Sequence, residues 1–332
     1  MNNLYTYVAI AVILLVVEVA YFRIARRLHI ADIPNQRSSH HDVIVRGGGV
    51  IFALSIVLYH LFYYTHYWYF LAGLLIVATV SYWDDIHSLP DSVRLIAQTV
   101  ATLLMFAELG ILKPSLWWII ILGLILCVGI INAYNFMDGI NGITGAYSLA
   151  VISSLAIVNY NLEFIDMSYL IVTAIGCFIF CLFNFRTKAI CFAGDVGSIS
   201  MALIVMFPLA KLIIQTHDFS YIVFLALYGV DTVLTIIHRI MLHENLGQAH
   251  RKHAFQILAN ELKIPHVAVS AGYAIVQMII SVGLIFCSNY HLLYSIIVLL
   301  ILGFAYIFFM KRYYHLHEEY LQNINSLNTN NH

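Results

Sequence analysis

Five short clusters hold most of the side chains in this 332-residue chain that could do acid–base, cation or phosphate chemistry. Asp84 and Asp85 are adjacent carboxylates closing an apolar run, a costly place for two acids unless they hold a cation or work on protons. Arg94, nine residues beyond Asp85, is placed to hold a phosphate oxygen. A second cluster runs from Asn132 to Gly145. On a helical turn its Asn135, Asp138 and Asn141 would share a face and offer oxygen ligands to a hard cation. Asp195, between Gly194 and Gly197 at the mouth of another apolar run, suits magnesium, which takes one or two carboxylates plus substrate phosphates; an Asp there is also a preferred helix N-cap. Upstream, Asp32-Ile-Pro-Asn35-Gln-Arg37-Ser38-Ser39-His40 leads to Arg46-Gly47-Gly48-Gly49. Glycines opening a helix let backbone N–H groups approach an anion, and small residues equally serve close helix packing. The longest polar stretch carries His238, Arg239, His243, Glu244 and then His250-Arg251-Lys252-His253-Ala-Phe-Gln256. His250 and His253 are i, i+3 partners, but the His-Glu-x-x-His pattern and a third ligand of a zinc site are missing, and Arg251 and Lys252 favour an anion. Glu18 and Asp231 lie inside apolar runs and are expected to face the protein interior, Asp231 close enough to its run's end to join the polar site.

The elements that position these clusters follow from composition. Hydrophobic residues make up 62% of the chain and charged ones 10%, against roughly 45–50% and 25% in soluble domains. That excludes a soluble enzyme, a disordered tail, a nucleic-acid binder and a coiled coil. A membrane helix needs about 20 apolar residues to cross about 30 Å of hydrocarbon. Eleven runs qualify: 4–22, 47–63, 66–83, 93–110, 114–132, 147–162, 167–184, 197–215, 219–237, 267–288 and 291–310. The runs are continuous, not alternating, which excludes a barrel. The expected fold is all-α: a polytopic membrane helix bundle of about 11 transmembrane helices forming one domain over 1–332, with a frayed tail at 322–332. No basic residue precedes the first run, and Arg23, Arg26 and Arg27 follow it, the polarity of an uncleaved anchor with its N-terminus outside. Alternation from there puts fourteen of the sixteen Lys and Arg on the inside, Lys113 and Lys211 excepted, with the C-terminus cytoplasmic. All five clusters then share the cytoplasmic face. Five cysteines with no Cys-x-x-Cys pair give neither a disulfide framework nor a zinc site. His60, His66 and His291 read as interfacial.

Asp84-Asp85, then Asn135-Phe-Met-Asp138-Gly-Ile-Asn141-Gly, then Gly194-Asp195-Val-Gly-Ser198, then His250-Arg-Lys-His253-x-x-Gln256 resemble, in order and in span parity, the polyprenyl-phosphate N-acetylhexosamine-1-phosphate transferases of glycosyltransferase family 4. The resemblance covers essentially the whole chain. It implies an inner-membrane enzyme that joins a UDP-activated amino sugar to polyprenyl phosphate and releases UMP, with Mg²⁺ required and Mn²⁺ as an alternative. It further implies that Asp84 and Asp85 orient or deprotonate the lipid phosphate and that Asp138 joins them as catalytic. Asp195 would be the magnesium ligand. Arg94 would meet the pyrophosphate, and His250, Arg251 and His253 would hold the diphosphate or nearby sugar. Arg46, Gly48, Asn135 and Asp231 complete the expected substrate contacts. Many bacterial members have Asp where this chain has Asn141, which can still ligate a metal through its carbonyl oxygen. The Arg46-Gly-Gly-Gly and His-Arg-x-His forms look more like the branch that starts O-antigen or capsule chains than like the muramoyl-pentapeptide enzyme. No nucleic-acid partner is expected, and a homodimer is compatible with the pattern.

A phosphate monoester has a second pKa of about 6, so the acceptor is mostly dianionic at neutral pH. Positioning and charge neutralisation then outweigh proton abstraction. Direct attack on the sugar-bearing phosphorus is favoured over an aspartyl-phosphate intermediate. The rival class is a transporter or flippase for an anionic lipid or sugar phosphate. It would place polar residues at the bilayer midplane and break helices in both halves; here they sit at run ends on one side.

Overall fold

The computed structural model describes residues 3–32, 44–245, 247 and 250–329. Asn35, Arg37, Ser38, Ser39 and His40 lie outside the described residues, as do 330–332. The apolar runs fold as helices, giving an all-α polytopic membrane protein. In chain order these are α1 (Asn3–Arg27), α2 (Val50–Tyr63), α3 (Trp68–Ile86), α4 (Asp91–Glu108), α5 (Trp117–Met137) and α6 (Ile143–Leu162). They continue with α7 (Met167–Asn184), α8 (Gly194–Thr216), α9 (Ala226–Met241), the short α10 (Ala254–Gln256), α11 (His266–Phe286) and α12 (His291–Thr329). A 3₁₀ stretch, Phe219–Leu225, leads into α9, and a π-helical turn, Ile257–Glu261, follows α10.

Among the described residues, nine helical segments are long and apolar enough to cross a membrane. The runs 47–63 and 93–110 are helical too but differ in kind. α2 has 14 residues, about 21 Å of rise, because Gly47–Gly49 are spent on a turn. α4 carries Asp91, Arg94 and Glu108 along one amphipathic helix. α12 runs through Thr329, past the point at 322 where a frayed tail was expected. No glycine or proline interrupts 304–329, and extending an anchored helix needs no new nucleus.

α8 is the axis of the bundle. Every residue from Val196 to Leu209 is buried, as an all-round apolar helix requires, and α2, α3, α5 and α6 pack around it. α5 and α12 lie at the rim, with 11% and 17% of their apolar windows buried.

α2 meets α8 backbone to backbone. A Cβ on Gly49 would stand 2.2 Å from the Cα of Gly197. Backbone strands accompany this contact. β1 (Ala31–Asp32) pairs antiparallel with β2 (Ile44–Val45), and Val45 bridges to Cys191. The Phe192 N–H donates to the Val45 carbonyl at 2.8 Å, the Gly48 N–H to the Phe192 carbonyl at 2.8 Å and the Gly49 N–H to the Ala193 carbonyl at 3.0 Å. The Val50 and Ile51 N–H groups turn back to the Gly47 and Gly48 carbonyls. The Gly48 N–H, expected to meet substrate, is spent on backbone in this arrangement, and a Cβ there would lie 2.8 Å from Cys191 Sγ. The glycine run is a packing device. Gly49→Ala is expected to cost about 1–3 kcal/mol because the obstruction is backbone and cannot rotate away. Thermal unfolding in detergent should fall by several degrees, while Gly129→Ala, which would meet nothing within 4 Å, should not lower it.

Candidate active site

The first N–H groups of a helix lack intrahelical partners and carry the positive end of its dipole. At α8 they are satisfied from α3. The Asp195 N–H donates to Asp85 Oδ1 at 2.9 Å and the Val196 N–H to Asp85 Oδ2 at 3.0 Å. Arg46 Nε adds an ion pair to Asp85 Oδ1 at 2.8 Å, and the Asp85 side chain is wholly buried. Gly194, at φ +71°, lets this carboxylate in; a Cβ there would lie 2.5 Å from Asp85 Oδ2. Asp85, expected to be catalytic, has both its oxygens engaged by α8 and Arg46 in this arrangement, which is a positioning geometry. The helix is capped by Asp85, not by Asp195 as the sequence allowed.

Asp195 is thereby left with its side chain facing a ring of charges. Its Oδ1 is 3.8 Å from Arg46 Nη2 and its Oδ2 is 3.6 Å from Arg94 Nη1, so neither guanidinium saturates it. Asp84 and Asn135 are within hydrogen-bonding reach of the same carboxylate. Asn135 Nδ2 also donates to Ser198 Oγ at 3.3 Å, across from α5 to α8. Asp84 accepts from the Leu89 N–H at 2.6 Å and from Arg94 Nη1 at 3.2 Å, and Asp91 holds the other end of the Arg94 guanidinium. Asp138, in the turn after α5, accepts from Thr144 Oγ1 at 2.6 Å. Burial pushes its carboxyl up to about 7, and the Asp195 and Asp85 charges add to the rise.

Five carboxylates, Asp84, Asp85, Asp91, Asp138 and Asp195, thus gather around two guanidiniums, an excess that suits a hard cation. Among the described residues no three His, Cys, Asp or Glu side chains form a metal cage. Magnesium does not require one, because water and substrate phosphates complete its octahedron. The Asp195 oxygens are the ones with room, and they fit such an ion.

Asn141 stands elsewhere, contrary to the shared helical face expected for it. α5 ends at Met137 and Gly142 takes φ +87°, so the chain turns away before a second helical turn forms. Asn141 Nδ2 donates to the Arg186 and Thr187 carbonyls at 3.0 and 3.2 Å. Its Oδ1 is buried without a partner. No described contact joins Asn141 to Asp195.

The basic loop forms a second cluster. Asp231 on α9 accepts from His253 Nδ1 at 3.2 Å, the Ala254 N–H at 3.1 Å and Thr235 Oγ1 at 3.2 Å through one oxygen, and from Tyr273 OH at 2.7 Å through the other. With 3% of its surface exposed, Asp231 is a clamp that fastens the loop to α9 and α11. Both its oxygens, expected to meet substrate, are engaged by these protein donors here. His250 stacks on His253 at 5.1 Å between centroids. Burial, then the neighbouring His253 and cations, pull His250 down to about 3, so it is neutral at pH 7. Arg251 turns toward α12, where Nη1 donates to Tyr320 OH at 3.0 Å and the guanidinium lies 5.0 Å over the ring. This departs from its expected place on the diphosphate. Lys252 and Arg239 share Glu244. The α5–α6 turn touches both clusters: Phe136 lies 6.4 and 6.3 Å from His250 and His253, and Gly139 abuts the Phe255 ring.

Two features had no sequence signal strong enough to single them out. Tyr273 is an ordinary aromatic until folding brings it to Asp231. A groove of about 340 Å³ opens between α5, α9 and α12, lined by Ala133, Tyr134, Tyr228, Gly229 and Gly303 among others. Tyr134 is one turn before Asp138, so the groove ends beside the acid cluster.

Residues 67–215 match the profile of glycosyl transferase family 4, a segment that holds Asp84, Asp85, Arg94, Asn135, Asp138, Asn141 and Asp195 in order. Over that segment the chain is similar to glycosyl transferase family 4. Among the proteins it resembles is the "probable undecaprenyl-phosphate N-acetylglucosaminyl 1-phosphate transferase" of Bacillus subtilis (strain 168). It is 25% identical over 254 residues, covering 70% of each protein. The phospho-N-acetylmuramoyl-pentapeptide-transferase of Latilactobacillus sakei subsp. sakei (strain 23K) is 29% identical over 125 residues, covering 37% of this chain and 38% of that protein. The family 4 profile match holds the acid cluster and ends before the basic loop.

Proposed function

We propose that this chain is a member of glycosyl transferase family 4 and transfers an N-acetylhexosamine-type sugar 1-phosphate from a UDP-sugar to polyprenyl phosphate. UMP is released, and a lipid-linked glycan of the O-antigen or capsule kind is started. The observation that carries this reading is the placement of Asp195 between Arg46 and Arg94, with Asp138 beside it at the end of an apolar groove. A charged nucleotide substrate and a long isoprenoid substrate need those two environments to meet. The names of the two relatives support the same reaction class. The distribution of Lys and Arg supports a site on the cytoplasmic side of the inner membrane.

Magnesium, held by Asp195, would supply charge neutralisation at the diphosphate. The chain's own groups do the rest. Arg46 and Arg94 hold diphosphate oxygens, Asp84 and Asp91 aim Arg94, and Asn135 fixes Asp195 against Ser198. An oxygen of the acceptor phosphate attacks the sugar-bearing phosphorus in line. The bond from that phosphorus to the bridging oxygen breaks, and UMP leaves with the electron pair. Asp138 takes the proton of the monoanionic acceptor fraction.

The last step sets the pH dependence. The ionised form of Asp138 is the acceptor, and it builds up as pH rises through about 7. kcat/KM is therefore expected to climb up to that pH and level off above it. Asp138→Asn should remove the inflection near 7, leaving only that of the acceptor phosphate near about 6, and should cost most on the acid side of the profile, where the monoanionic acceptor dominates.

The reading is tested with the full chain purified in detergent, undecaprenyl phosphate, a panel of UDP-amino sugars and Mg²⁺, following UMP. Release with one sugar supports it. Silence across the panel, or binding of a sugar nucleotide without turnover, overturns it.

A further inference from the structure

α1 and α7 run side by side in a fixed register. Tyr7 OH donates to Ser168 Oγ at 3.1 Å, and the Phe22 and Phe183 rings meet at 4.9 Å. Both pairs have the same numerical offset, so the helices are parallel over fifteen residues, about 22 Å. Between these contacts the two helices part. They leave a groove of about 600 Å³, floored by Leu149 of α6 and walled by Val12 and Leu15 of α1 and by Ala174, Phe178 and Leu182 of α7. Its lining is apolar and runs from Val8 to Leu15 on α1 and from Ile171 to Leu182 on α7, about 10 and 16 Å of helix rise, against about 15 Å for one hydrocarbon leaflet.

The end of the groove nearest the acid cluster is cationic. Arg26 lies eleven residues beyond Leu15, close to three full turns, and so on the same face of α1. Arg23 flanks it, and Arg186 follows α7 three residues past Phe183. All three are exposed, and among the described residues no carboxylate pairs with any of them. They sit about one turn beyond the Phe22–Phe183 contact, at the depth where a headgroup phosphate lies when its chain fills the groove.

We propose that the α1–α7 groove is a binding site for an anionic phospholipid, separate from the groove at α5, α9 and α12. One acyl chain lies between α1 and α7, and the phosphate is held by Arg23, Arg26 and Arg186. Basic residues at the charged end of an interhelical cleft recognise anionic headgroups in this way. A second copy of the chain is the poorer occupant. Two copies in one bilayer share their orientation, so a shared α1–α7 face would set these arginines against their own counterparts. The site also touches the catalytic end, because Tyr21 of α1 donates from its hydroxyl to the Arg46 carbonyl at 2.6 Å.

The test is native mass spectrometry of the full chain with equal phosphatidylglycerol and phosphatidylcholine. At least tenfold preferential retention of one phosphatidylglycerol is expected. The triple variant Arg23→Gln/Arg26→Gln/Arg186→Gln should reduce that preference to near unity, whereas Lys311→Gln/Arg312→Gln, an equal kind of charge loss on α12, should leave it. Ala174→Phe, which fills the groove without touching charge, should release the lipid even if the triple variant does not fold. Equal retention of both lipids by the unaltered protein, or an undiminished preference in either the triple or the Ala174→Phe variant, overturns the proposal.

Discussion

Asp195→Asn is expected to lower Mg²⁺-dependent UMP release by about 10³-fold or more, with the fold intact. The size follows from the position. Asp195 is the carboxylate that both Arg46 and Arg94 approach without saturating, at 3.8 and 3.6 Å. Removing a preorganised charge at a reacting diphosphate costs about as much as removing an oxyanion-hole donor, roughly 10²–10³, and more where that charge also holds the metal. The fold should survive because the contact that seats α8 is made by the Asp195 backbone N–H, not its side chain. The informative pair of measurements is UMP release against Mg²⁺ concentration and thermal unfolding in detergent. A variant with normal unfolding and a rate within tenfold of the parent would remove Asp195 from the metal site.

Asp85→Ala should act in the opposite order, on stability first. The side chain is buried, accepts from two N–H groups of α8 and pairs with Arg46. Its loss leaves two helix-end donors without their acceptor and removes one carboxylate from the half-buried Arg46; each buried donor left unpaired costs about 1–3 kcal/mol. Thermal unfolding should drop sharply, and activity should fall with it because Asp195 loses its seat. Asp85→Asn keeps the shape but turns an amide toward donors, so it should recover only part of the stability. Asp84→Asn is the contrast, since Asp84 aims Arg94 and caps nothing on α8. It should reduce turnover while leaving unfolding nearly unchanged. If Asp85→Ala unfolds like the parent, Asp85 is not the brace of α8.

These two aspartates show what could be read in the chain beforehand. Adjacent acids at the end of an apolar run are visible as an anomaly, and so is a lone Asp among glycines. Which of them holds a helix and which faces a ligand depends on a partner 110 positions away, and no local pattern carries that. The apolar runs located the helices because hydrocarbon demands them. They overestimated α2, since glycines that could continue a helix were used for a backbone crossing instead. The same ambiguity stands at Gly48: a glycine run before a helix is equally consistent with an anion nest and with two backbones in contact, and the backbone contacts with Phe192 and Gly197 appear only in the assembled bundle. Asn141 was assigned to a helical face because the spacing allowed it, and Gly139 and Gly142 ended the helix first. Asp231 was correctly expected to face inward. Its four donors come from α9, the basic loop and α11, so its role as a clamp required the assembled bundle.

The capping of α8 by a residue of α3 has a consequence for biogenesis. Chains emerge from their N-terminal side first, so Arg46 and Asp85 enter the membrane well before Gly194 exists. Until α8 arrives, a buried carboxylate has a guanidinium for company and no helix end to receive it. Insertion of α8 therefore closes a circuit among three segments at once. A chain arrested short of it would hold its charges in an unfinished, water-seeking arrangement, the kind of lesion that membrane quality control can recognise. Assembly and reactivity are thus coupled: the same event that retires the exposed charge of Asp85 presents Asp195 to its substrates.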